Sequence, residues 1–162
     1  MADAFNSPKF TTRTILLSWL LVGTLDISCA IISFLIKGGT NPSLIFIYIS
    51  SALYGPEQVQ EMNPTSMEIL GLCLHYLIAL IWTVIFFSLY RRIPSMHKNR
   101  FITGIVYGFF MQIIMSQIVV KLSNAATGPF KFVSFLISGA ILVIAIGIPL
   151  SFIAYRNVIK NN

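Results

Sequence analysis

Four stretches of this chain, residues 15–36, 67–90, 102–120 and 132–155, match the roughly 20 apolar residues that a helix needs to cross about 30 Å of hydrocarbon. Within them the only Asp, Glu, Lys or Arg side chains are Asp26 and Glu68. A backbone in lipid has no water to satisfy its N–H and C=O groups, so such runs must close their hydrogen bonds internally, as helices. The sequence therefore predicts an all-α fold: a polytopic membrane protein built as a four-transmembrane-helix bundle. One membrane domain covers residues 1–162.

Composition agrees with lipid as the solvent. Only 10% of the residues are charged, against about 25% in a typical soluble domain, and the mean hydropathy is +0.83. The net charge of +6 does not indicate nucleic acid, because binders of that kind gather their charge on an exposed face. Here Lys and Arg lie between the apolar runs. Lys9, Arg13, Arg91, Arg92, Lys98, Arg100, Arg156 and Lys160 share one side of an alternating chain, and Lys37, Lys121 and Lys131 share the other. This bias of eight against three places both termini in the cytoplasm. Trp19, Tyr90, Tyr107 and Tyr155 lie towards the basic side, where an aromatic belt is expected. The N-terminal apolar run is too long for a signal-peptide core, and no A-x-A site follows it.

Local signals set the limits of the spans. Gly38-Gly39 close the first, Gly128-Pro129 separate the third from the fourth, and Thr65 with Glu68 reads as a capping box ahead of the second. A fifth apolar stretch, residues 42–53, is too short to cross. Asn41 is its expected N-cap, with Pro42 at the first helical position. It is expected to be a short interfacial or re-entrant helix between spans one and two. Ser43, Ser50, Ser51 and Tyr54 give it a mildly polar side that favours lying flat.

Each span carries small residues at helical spacing, which let neighbouring backbones approach. Gly23, Ala30 and Ser33 mark the first, Gly71 and Ala79 the second, and Gly104 and Gly108 begin the third with a G-x-x-x-G. These glycines are the expected helix-packing positions. The deepest polar groups, Asp26, His75 and Gln112, fall on the same stripes. A carboxylate at the centre of a span costs about 2.5–3.5 kcal/mol on insertion scales, so Asp26 must be protonated, paired or wet. Counting about 1.5 Å per residue brings all three to similar depth, and consecutive spans are usually neighbours. The cluster has three readings: hydrogen-bonded glue, a protonatable site on a binding or transport path, or a ligand site.

No cofactor and no metal are expected. One His and one Asp are too few ligands for a structural zinc, and a haem would need His75 from two subunits. Cys29 and Cys73 read as small hydrophobes. No nucleophile–base pair, phosphate loop or carboxylate dyad can be assembled, which argues against an enzyme.

The runs Gly23-Thr-Leu-Asp26, Phe34-Leu-Ile-Lys37-Gly-Gly-Thr-Asn-Pro42, Gly71-Leu-Cys-Leu-His75-Tyr, Tyr90-Arg-Arg-Ile-Pro94 and Thr103-Gly104-Ile-Val-Tyr107-Gly108 resemble uncharacterised small four-span membrane proteins of Bacteroidetes-type bacteria. More distantly, the layout is YagU-like, without the long insertion those proteins carry after the first span. The resemblance covers residues 15–155 and implies the bacterial inner membrane. It brings no catalytic or binding residues.

The leading reading is a non-enzymatic membrane protein whose polar core serves packing and small-solute or proton movement. The alternative is a membrane interaction or envelope-assembly protein, pairing through its G-x-x-x-G face as a homo-oligomer or with another membrane protein. The lipid bilayer is the partner common to both.

Overall fold

A computed structural model describes residues 9–125 and 128–161, without the side chains of Lys160 and Asn161. The chain is 85% helical, with no strand among the described residues. Four helices are long and apolar enough to span a bilayer: α1 (Thr12–Ile36), α4 (Pro64–Arg92), α5 (Arg100–Leu122) and α6 (Phe132–Ile159). Between the first two lie α2 (Ser43–Tyr54) and the six-residue α3 (Pro56–Glu61).

The outward faces are apolar on every span. Leu17, Leu77, Val106 and Ile144 are 57%, 51%, 62% and 65% exposed. Such surfaces are untenable in water and ordinary against acyl chains. The bundle is a multi-pass membrane protein.

Helix ends follow local chemistry. Thr11 caps α1 by accepting from the Thr14 N–H at 3.2 Å, and Gly38, at φ 88°, lets the chain turn out of it. Asn41 Oδ1 accepts from the Ser43 N–H at 3.1 Å, across Pro42. At α4 the expected capping box does not form. Asn63 is the cap, accepting from the Ser66 N–H at 3.2 Å, with Pro64 at the first helical position. Thr65 and Glu68 therefore lie inside the helix, because an Asn-Pro pair starts it two residues earlier.

The stripes of small residues face other helices. A Cβ on Gly104 would sit 2.9 Å from the Ile148 Cα, and one on Gly108 would sit 2.6 Å from the Val143 Cα. Gly147 reciprocates, its own Cβ position overlapping the Gly104 carbonyl. The G-x-x-x-G face is thus filled by α6 of the same chain. Pairing through it with another protein would require α6 to be displaced, which removes the surface on which the oligomer reading stood.

Gly71 does the same for α2. A side chain there would strike the Phe46 backbone, whose Cα is 2.9 Å from the Cβ position. Gly71 is about 10 Å along α4 from its start, at roughly 1.5 Å per residue, so α2 dips in beside α4 instead of lying flat. Ser50 and Ser51 are 0% and 4% exposed, their hydroxyls donating back to the Ile47 and Tyr48 carbonyls at 2.8 and 2.7 Å. Self-satisfied serines need no headgroup partner, which is why the polar side turns inward. The far end of α2 is tied to the chain beyond α5, with Asn124 donating Nδ2–H to the Leu53 carbonyl at 2.7 Å and its backbone N–H to Ala52 at 3.0 Å.

The densest packing lies in the half nearer the Arg-rich end. There Phe86, Tyr90 and Leu150 are 0% exposed, with Trp82, Phe87, Tyr107 and Met111 around them. Tyr90 and Tyr107 are therefore core residues, not belt residues. Trp19 also turns inward, donating its indole N–H to the Tyr76 carbonyl at 2.7 Å. Tyr155 stays near the basic end, where the Arg100 guanidinium lies 5.2 Å from its ring.

Two π-helical turns interrupt the spans, Met115–Val119 in α5 and Val143–Gly147 in α6. In α6 the wide turn precedes Pro149, which has no N–H to give the Ala145 carbonyl and would crowd it in a regular helix.

Candidate functional site: a polar-walled cavity

Neighbouring residues His75 and Tyr76 on α4 clasp α1. The Tyr76 ring edge lies 3.0 Å from where a Gly23 Cβ would be, its carbonyl holds Trp19, and its hydroxyl shares a 2.9 Å hydrogen bond with Thr24. His75 Nε2 lies 2.8 Å from the Gly23 carbonyl oxygen. A carbonyl only accepts, so Nε2 carries the proton in this bond. Nδ1 is then the ring nitrogen left to accept or to take a second proton. No hydrogen bond engages it among the described residues.

Asp26 sits one turn beyond Gly23 on α1. It is half-buried, and its carboxylate makes no hydrogen bond among the described residues. Both side chains border a cavity of about 410 Å³. Tyr48, Ile49 and Ala52 of α2 form one wall, Ile78 and Trp82 of α4 another, and Met111, Met115 and Val119 of α5 a third, with Leu142 and Ile146 of α6 behind. Its lip lies where the partly exposed Leu53 and Ser123 meet beside the Asn124 tether.

The floor is Trp82. Its indole N–H points at the Met115 sulfur at 3.3 Å, and its carbonyl accepts from the Tyr107 hydroxyl at 2.5 Å. Beyond it the aromatic core begins, with the Phe86 ring 4.8 Å from that of Tyr107. Both π-helical turns touch the cavity, through Met115 and Val119 in α5 and Ile146 in α6. Such turns reshape a helix face where a ligand must be accommodated.

No protein-family model, curated protein or solved structure matches this chain. Its chemistry has to be read from the cavity itself.

The structure brings Asp26 and His75 to one cavity and leaves Gln112 out. Gln112 is buried on the other side of α5, its Cγ 3.5 Å from where a Gly139 Cβ would be. Depth along the helix was readable, but the direction around it was not: Met111, one residue away and about 100° round the helix, faces the cavity instead. Sequence reasoning also missed Trp82 as the floor and α2 as a wall. A short apolar helix tethered at both ends was the available signal for the second. Among the described residues no three His, Cys, Asp or Glu side chains gather as metal ligands would.

Proposed function

We propose that this chain is a non-enzymatic protein of the bacterial inner membrane, with both termini in the cytoplasm, that takes a small solute with an apolar body into the cavity as the binding step of transport. The observation that carries the reading is the cavity of about 410 Å³, walled by five helices and bordered by Asp26 and His75. Ligand sites are mostly apolar clefts of roughly 300–1,000 Å³ with a few polar groups that fix orientation, and this one fits that description. Glue alone would close Asp26 against a partner, whereas here its carboxylate borders open space. The dense aromatic packing below Trp82 favours holding a solute over an open proton leak. The Lys/Arg bias and the likeness to small four-span bacterial proteins support the location and orientation.

Calorimetric titration of the nanodisc-embedded protein with 4-phenylbutanol tests the reading, with empty nanodiscs as the blank. The wild type is expected to show saturable heat, and Ala52→Trp, which fills the cavity from α2, is expected to abolish it. Identical traces for wild type, variant and blank, with the alcohol and with its amine analogue alike, would refute the binding role.

A further inference from the structure

The polar part of the cavity wall is built from acceptors. With Nε2 committed to the Gly23 carbonyl, the His75 imidazole that lines the cavity has Nδ1 left for a further partner, as an acceptor when the ring is neutral. The Asp26 carboxylate, when ionised, accepts and does not donate. No Lys or Arg lines the cavity among the described residues, so a carboxylate or phosphate ligand would bring a second negative charge beside Asp26 with only the His75 imidazole to offset the two. A neutral apolar ligand would fill the space and leave Asp26 either ionised without a counter-charge, which is costly in a poorly hydrated site, or protonated. A protonated amine removes that cost. Its N–H groups match two acceptors, and the aromatic faces of Tyr48 and Trp82 suit either the cation or an apolar body.

We infer that the cavity selects organic cations, specifically a protonated amine on an apolar body, through Asp26 as counter-ion and His75 Nδ1 as second acceptor. This rests on the binding role proposed above. Selection occurs inside the cavity and not at its mouth: at that end of the bundle Glu57, Glu61 and Glu68 are offset by Lys37, Lys121 and Lys131, so no net field draws cations in.

The test compares three probes with one body, 4-phenylbutylamine, 4-phenylbutanol and 4-phenylbutanoate, by calorimetry on the full chain in nanodiscs near pH 7. The amine, with an ordinary pKa near 10 like that of lysine, is a cation there. It is expected to bind at least tenfold more tightly than the alcohol, and the carboxylate least. Asp26→Asn should remove the preference, weakening the amine until it binds no more tightly than the alcohol, with the alcohol itself unchanged or strengthened by loss of the carboxylate. Equal binding of amine and alcohol, or a preference for the carboxylate, would overturn the cation inference and leave the binding role standing. Absence of binding by all three would overturn both. The wild-type series decides these outcomes even if the Asp26 variant fails to fold.

Discussion

The His75 imidazole donates its Nε2 proton to the Gly23 carbonyl of the neighbouring span at 2.8 Å. That one bond joins α1 to α4 and fixes the tautomer of an imidazole that lines the cavity. Nitrogen-15 spectra of the folded protein near neutral pH are expected to show His75 protonated at Nε2. His75→Leu should lower stability by about 0.6–1.7 kcal/mol, from the average to the maximum measured for intramembrane hydrogen bonds, because the Gly23 carbonyl keeps its helical partner. Reversible unfolding in detergent measures it.

Two buried tyrosines should respond in opposite directions to loss of their hydroxyls. Tyr107 donates to the Trp82 carbonyl, so Tyr107→Phe should cost about 0.6–1.7 kcal/mol. The Tyr90 hydroxyl is buried without a partner among the described residues. An unsatisfied buried group costs about 1–3 kcal/mol, so Tyr90→Phe should be neutral or stabilising by up to about 1 kcal/mol. Thermal unfolding of the two variants side by side gives the comparison.

At the α5–α6 seam, added atoms meet backbone, which cannot step aside. Gly108→Ala and Gly147→Ala should each destabilise by at least about 1–3 kcal/mol, the usual cost of overpacking. Neither should change the oligomeric state at concentrations where the protein stays folded. A folded, stable Gly108→Leu that merely loses an oligomer would show the face to be intermolecular after all.

Much of this fold was legible because membrane spans are read by length and apolarity, and neither depends on tertiary detail. The depth of Asp26 and His75 was legible for the same reason, since the rise per residue is fixed. Orientation about each helix axis was not. Gln112 and Met111 are adjacent in sequence and face different partners, and only packing against Gly139 decides which is which. The dip of α2 depends on a backbone contact between Phe46 and Gly71 that leaves no trace in hydropathy. Tyr90 and Tyr107 were read as belt residues because sequence shows their level and not the interior they fill.

The tether at the lip predicts a change in access. Asn124→Leu removes the side-chain bond to the Leu53 carbonyl and leaves the backbone bond to Ala52. With Cys29 and Cys73 replaced by Ala and a single cysteine placed at Ile49, maleimide labelling should be several-fold faster once Asn124 is changed. An unchanged rate would mean that the tether does not control the mouth.

Whether a solute enters among the helices or only partitions into the surrounding lipid is best answered residue by residue. The most direct measurement is photo-crosslinking of the nanodisc-embedded protein with a diazirine-bearing phenylbutylamine, followed by mass spectrometry of the adducts. The two faces of α4 provide the reference: Ile78 and Trp82 line the cavity, whereas Leu77 and Ile81 are half-exposed on the lipid side. The account predicts adducts on Ile78, Trp82, Tyr48 or Met115 that disappear in Ala52→Trp. Adducts confined to Leu77, Ile81 and other lipid-facing positions, unaffected by Ala52→Trp, would contradict it.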